Sequence, residues 1–188
     1  MRRPSMLTGA AALLATASLL FPITCNSVAQ EQPPAFPLPE MQRLSKLYVG
    51  TWTYTETYPK SPSSQNGLVN TGVYTSELGP GGNSIINRFH SKGPAGESEG
   101  VFVMTWDPKE KAYKAYFFSD SSPTALVETG QWESDALVYR AELSVGSKKI
   151  ALRTVTKFLD GGKLTSDAYF SANGSPETLA VHVEAIKK

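Results

Sequence analysis

The feature that most constrains this chain is a series of β-type segments, cut apart by turn residues, from residue 49 to its end. Segments rich in Tyr, Val, Thr, Phe and Ile occupy 49–58, 69–78, 83–91, 98–106, 112–119, 124–132, 135–143, 148–158, 163–171 and 178–187. Between them stand Gly79-Pro80-Gly81-Gly82-Asn83, Asp107-Pro108-Lys109-Glu110, Asp120-Ser121-Ser122-Pro123, Asp160-Gly161-Gly162 and Asn173-Gly174-Ser175-Pro176. Gly tolerates positive φ, Pro fixes φ, and Asp or Asn bonds nearby backbone, so all five close tight turns. Strands recurring every ~8–12 residues between such turns mark a sandwich or a barrel. Short connections make consecutive strands antiparallel neighbours. The expected fold is all-β: a closed antiparallel up-and-down barrel of about ten strands, because closure removes exposed edges. A two-sheet sandwich is the alternative. Only 59–68, with Pro59, Pro62 and a Ser/Gln/Asn/Gly run, reads as a long loop.

One helix precedes the strands. In Pro39-Glu40-Met41-Gln42-Arg43-Leu44-Ser45-Lys46-Leu47-Tyr48 the apolar residues Met41, Leu44, Leu47 and Tyr48 recur at helical spacing. Pro39 and Glu40 suit a first turn.

The N-terminal residues are of another kind. Arg2 and Arg3 precede an apolar run from Met6 to about Ile23, and Ser27-Val28-Ala29 is a small-x-small triplet. That is a secretory signal peptide over 1–29, with cleavage expected after Ala29. The apolar run, broken by Thr8, Gly9, Thr16, Ser18 and Pro22, is short for a membrane span. The mature protein is expected to be periplasmic or extracellular, without stable membrane insertion. Acylation at Cys25 is the alternative processing route, although Pro22-Ile23-Thr24 lacks the usual residues before a lipidated cysteine. Cys25 is the only cysteine, so cleavage leaves no disulfide, thiol nucleophile or thiolate metal site. Residues 30–39 are a Pro-rich lead-in, and 40–188 is a single domain of a length that buries a sizeable core. A net charge of +1 with scattered basic residues gives no stripe for nucleic acid.

Leu47-Tyr48-Val49-Gly50-Thr51-Trp52 resembles the opening of lipocalins and fatty-acid-binding proteins, where a short helix enters the first strand through Gly-x-Trp. The chain also resembles a group of secreted bacterial lipocalin-like proteins of unknown function with a G-T-W start. The residues are Gly100-Val101-Phe102-Val103-Met104-Thr105-Trp106-Asp107, Tyr113, Phe117-Phe118-Ser119-Asp120-Ser121 and Gly130-Gln131-Trp132. The likeness spans roughly 45–187. It implies a barrel plugged at one end by Trp52, with a late-strand arginine across that ring. Arg153 is the favoured candidate. The resemblance implies no particular activity.

Alternation places Trp52, Tyr54, Glu56 and Tyr58 on one face of the first strand and Thr51, Thr53, Thr55 and Thr57 on the other. If Trp52 points inward, Glu56 is a lumen carboxylate or a rim residue. Arg88 and His90 share a face with Ile86, and Arg140 and Arg153 lie on strands otherwise rich in apolar residues. One arginine could answer Glu56 or hold an anionic head through its planar fork. The plainer reading of each is an ordinary surface pair. The candidate ligand-binding set is therefore Trp52, Tyr54, Glu56, Tyr58, Arg88, His90 and Arg153. No catalytic residue is assigned. His90 and His182 are the only histidines, without zinc-site spacing. No cofactor is required; the one these histidines could serve is haem through His182, which is similar only in position to the late histidine of nitrobindin-type barrels. No nucleophile elbow or phosphate loop occurs.

These readings favour an exported barrel that binds a small, mostly apolar or amphipathic molecule in its lumen. The alternatives are a barrel enzyme using a lumen Glu/Arg pair and a filled barrel acting as an interaction domain.

Overall fold

The computed structural model describes residues 37–61 and 64–188; the expected leader, Cys25 and most of the lead-in lie outside the described residues. Helix α1 (Pro39–Tyr48) is followed by β1 (Gly50–Tyr58), β2 (Leu68–Leu78), β3 (Ser84–Gly93), β4 (Gly96–Asp107) and β5 (Ala112–Ser119). Then come β6 (Leu126–Glu133), β7 (Ala136–Val145), β8 (Lys148–Leu159), β9 (Lys163–Ala172) and β10 (Thr178–Lys187). Each strand pairs antiparallel with the next, and β1 pairs with β10, so the ten strands close into a barrel. The up-and-down barrel read from the turn spacing is the observed fold, and the sandwich is not. Among the described residues no helix is long and apolar enough to cross a membrane.

The sequence of α1 explains both its start and its role. Pro39 sits in the first turn, where its missing N–H costs nothing, and Glu40 faces the positive end of the helix. Met41, Leu44 and Tyr48 form the buried stripe. They join Trp52, Ile85, Met104 and Leu137 in one apolar cluster that fills the barrel end at which β1 begins. Trp52 is 1% exposed, and its Nε1 donates to the Tyr48 carbonyl over 2.9 Å. Tyr48 also meets Phe158 edge-on, with centroids 4.9 Å apart. Helix and strand are thus tied where the chain turns from one into the other.

The opposite end is built differently. Phe102, Phe117, Leu126, Leu152 and Val183 share the inner parity of their strands with buried residues such as Met104, Ala115 and Ala185, yet are only half-buried. Phe170, the register partner of Leu152, is 42% exposed. Solvent thus still reaches the apolar inner face at this end, the mouth of the barrel, whereas the helix end is packed.

The cation over Trp52 is not Arg153. Lys187, paired with Trp52 in register, places its Nζ 5.6 Å from the indole centroid. The last strand supplies it because closing the barrel brings β10 beside β1. Arg153 is on the outer face of β8, one residue out of phase with Leu152 and Thr154.

Candidate functional site

A layer of buried polar groups borders the packed cluster: its phenols Tyr54, Tyr74 and Tyr139 are members of that cluster, and Tyr74 stacks on Trp52 with centroids 5.6 Å apart. On β6, Glu128, Gly130 and Trp132 follow the inner parity, and Glu128 is 5% exposed. Its register partner is the small residue Ala115, which leaves room beside the carboxylate. Thr154 of β8 donates its hydroxyl to Glu128 Oε1 at the long distance of 3.5 Å. Among the described residues no lysine, arginine or histidine pairs with Glu128. Burial pushes its pKa up to about 7, against the lowering effect of the Thr154 bond.

Three phenols share this interior. Tyr54 Oη, Tyr74 Oη and Tyr139 Oη are buried and find no hydrogen-bond partner among the described residues. Ser91 Oγ is in the same condition; it faces Tyr54 closely enough to affect that phenol, but without the geometry of a hydrogen bond. Apart from Asn83 Oδ1, in the turn between β2 and β3, these are the unpartnered buried side-chain oxygens of the described residues. Loss of water raises the Tyr54 phenol to about 12, with a smaller contribution from the Glu56 charge. Burial takes Tyr74 and Tyr139 further above the usual tyrosine range, and the Glu128 charge adds to the rise at Tyr139. All three therefore stay protonated at neutral pH, able to donate and to accept. A buried hydroxyl without a partner costs roughly 1–3 kcal/mol, so several in one place call for an explanation.

Glycines set two of these rings against the wall. A Cβ at Gly72, the register partner of Tyr54, would stand 2.4 Å from Tyr54 Cζ. A Cβ at Gly130 would stand 2.4 Å from Tyr139 Cε1, its partner across β6 and β7. The rings cover bare backbone of the neighbouring strand instead of crossing the lumen.

Among the residues singled out from sequence, Trp52, Tyr54, Glu56 and Tyr58 do share the inner face of β1, at increasing distance from the packed end. Trp52 is part of the plug, and Tyr54 belongs to the polar layer. Glu56 and Tyr58 are half-buried towards the mouth, where the Tyr58 hydroxyl donates to Glu56 Oε2 over 3.1 Å. The others are corrected. Arg88 and His90 are exposed, because β3 turns Ile85, Asn87, Phe89 and Ser91 inward and the even positions outward. His90 binds Glu97 across the hairpin at 2.7 Å. Arg153 forks onto Glu177 with its ring-side face 4.3 Å over Tyr169, and Arg140 pairs with Glu133. His182 alternates with the inward Val183 and gives its Nδ1 to Asp167 at 2.6 Å, outside the lumen. The Glu/Arg pair inside the barrel is therefore not formed, and among the described residues no arginine is placed to hold an anionic head there. Among the described residues no group of His, Cys, Asp or Glu is arranged to hold a metal ion.

Sequence reasoning passed over Glu128, Tyr74, Tyr139 and Ser91. A signal for the first was present: counting back by two from Trp132 through Gly130 puts Glu128 on the face of the tryptophan. A cleft of about 460 Å³ also lies at the helix end of the barrel, between α1 and the inner-face residues Trp106, Tyr113 and Trp132. Two of its aromatic polar groups are already engaged: Trp132 Nε1 donates to Tyr113 Oη, which donates to the Glu40 carbonyl. The lumen, with its unpartnered oxygens, is the better candidate.

A closed ten-strand antiparallel barrel, packed at one end and holding a buried carboxylate and unpartnered phenols, defines a β-barrel protein with polar groups in its interior. The chain belongs to the family described as Protein of unknown function (DUF1579), whose model matches residues 37–186. Among solved structures it is similar to Rv2717c from M. tuberculosis, at 16% identity and a TM-score of 0.55, covering 80% of this chain and 98% of that one. That likeness shows the fold alone. No curated protein matches the chain.

Proposed function

We propose that this protein is a lipocalin-like binding module that holds one small amphipathic molecule in the open half of its barrel. The observation that carries the reading is the set of buried, unpartnered oxygens of Tyr54, Tyr74, Tyr139 and Ser91 inside a barrel whose apolar inner face solvent reaches from the mouth. Ligand sites are mostly apolar with a few convergent polar groups, and this lumen has that composition. A bound molecule would supply the missing partners while its apolar part covers Phe102, Leu152 and their neighbours. We also propose that the protein is exported, with the mature chain starting near Gln30. The mass of protein recovered from the periplasm or medium of native cells checks this; retention of residues 1–29, or acylation at Cys25, overturns it.

Binding is tested with an uncharged solvatochromic dye. A blue-shifted, saturable signal near one dye per chain is expected. Leu152→Trp, which narrows the mouth, should weaken it, whereas Phe118→Ser, on the exposed outer face, should not. Absence of saturable binding to the folded protein, or equal sensitivity to both substitutions, rejects the lumen as the site.

A further inference from the structure

We infer that the lumen selects a cationic head group: a primary or secondary ammonium on an apolar body, with the Glu128 carboxylate as its counter-ion. The inference rests on the proposal that the lumen binds a small molecule and assigns the charge of that molecule.

The charges of the inner face are the first argument. Along the strands the only inner-face cations are at the extremes: Lys187 beside Trp52 at the packed end, and Lys148 at the tip of the β7–β8 hairpin. Between them the ionisable groups other than phenols are two carboxylates, Glu128 in the polar layer and Glu56 nearer the mouth. Arg88, Arg140 and Arg153, which could have reversed this balance, are turned outward and, in two cases, already paired to Glu133 and Glu177. An anionic head entering the lumen would meet two negative groups and no positive one.

The second argument is the state of Glu128 itself. It is 5% exposed, and among the described residues its one hydrogen bond is long and no cation answers it. A buried carboxylate without a counter-ion is costly, and a ligand that brings a positive charge recovers part of that cost. Burial has already raised its pKa to about 7, which marks how poorly the empty site holds the charge.

The third is the hydrogen-bonding character of the layer. An ammonium has two or three N–H donors and no acceptor. Glu128 and the unpartnered phenol of Tyr139, which is close enough to feel the Glu128 charge, both accept such donors, and the phenol can still donate its own proton. A neutral alcohol would satisfy the Tyr139 phenol but leave Glu128 without a countercharge. Glu56, joined to Tyr58 near the mouth, adds a negative field along the entry path.

The test is calorimetric titration of the purified protein with octylammonium, octanol and octanoate at neutral pH and moderate salt. These probes share a tail and differ in head charge. Octylammonium is expected to bind at least about ten-fold more tightly than octanol, with octanoate weakest. Glu128→Gln keeps the shape and removes the charge. It should bring octylammonium to within about three-fold of octanol while octanol binding persists. Glu56→Gln should leave most of the preference in place. Similar affinities for the three probes in the wild type, or tighter octanoate, overturn the cation assignment but leave lumen binding standing. A preference lost in Glu56→Gln and kept in Glu128→Gln overturns the role of Glu128. The wild-type series decides the head charge even if a variant fails to fold. Failure of all three probes, together with failure of the neutral dye, rejects the lumen reading itself.

Discussion

Tyr139 lies over Gly130, its register partner on the adjacent strand, so closely that a methyl group at position 130 would stand 2.4 Å from the ring. Tyr54 and Gly72 repeat the arrangement on β1 and β2. An aromatic ring covering a glycine on the next strand shields backbone that has no side chain of its own, and such glycines help a sheet to curve and close. In both pairs the ring belongs to the polar layer, so wall curvature and phenol position depend on the same contact.

Gly130→Ala should therefore destabilise the barrel by roughly 1–3 kcal/mol, as overpacking of a filled site does. Denaturant unfolding measures it. A change within about 0.5 kcal/mol of wild type, the range of ordinary surface substitutions, would show that the ring is free to move away.

Trp52→Ala removes the buried indole between α1 and the barrel floor, together with its bond to the Tyr48 carbonyl. A loss of about 3–5 kcal/mol is expected from the cavity alone. The same denaturant experiment checks it. A loss below about 1 kcal/mol would mean that α1 does not plug the barrel.

Glu128 makes stability depend on pH. Its folded pKa of about 7 is above the ordinary 4.5, so the folded protein holds this proton more tightly than the unfolded chain. The contribution is complete below the unfolded value and is lost as pH rises through about 7. Glu128→Gln should be close to wild type near pH 4 and more stable by up to about 3 kcal/mol at pH 8, from 1.36 kcal/mol per pH unit. Melting curves across that range, without ligand, report the difference. A constant gap between the two proteins would place the carboxylate in water.

Arg153→Ala tests the outer face. The Arg153–Glu177 pair and the Tyr169 ring beneath it are exposed to solvent, so the loss should fall within about 0–1 kcal/mol and shrink with added salt. Dye binding in the lumen should not change. A weakened dye signal in this variant would contradict the placement of the side chain outside the barrel.

The strands were legible in the sequence because turn chemistry is local: Gly79-Pro80-Gly81-Gly82-Asn83 and Asp160-Gly161-Gly162 announce chain reversals without any tertiary information. The inner face of β1 was legible because its four aromatic or acidic residues alternate with threonines. The face of β3 was not, since Ile85 and Ile86 are adjacent and either parity buries an isoleucine. Only the barrel decides, by turning Asn87 and Ser91 inward with Ile85 and leaving Arg88 and His90 outside. Lys187 was equally beyond reach, because its position over Trp52 depends on closure between the two strands most distant in sequence. Nothing in the local sequence pattern singles out Tyr74 and Tyr139. What distinguishes them is the lack of a partner for their oxygens, a property of the whole lumen rather than of any local pattern.

The pairing of β1 with β10 also governs the order in which this domain can be made. Thr53 opposes Ile186 and Glu56 opposes Val183, so the first strand waits for the last before its second edge is satisfied. A growing chain carries two bare edges, and an unroofed patch of aromatics, through nearly all of its synthesis. The pairing that ends this exposure spans the longest loop the domain has, which makes it slow relative to the hairpins. Any cellular factor that guards nascent or translocating chains would have to act before β10 emerges, and deletion of that single strand should convert a self-contained barrel into an open, self-associating sheet.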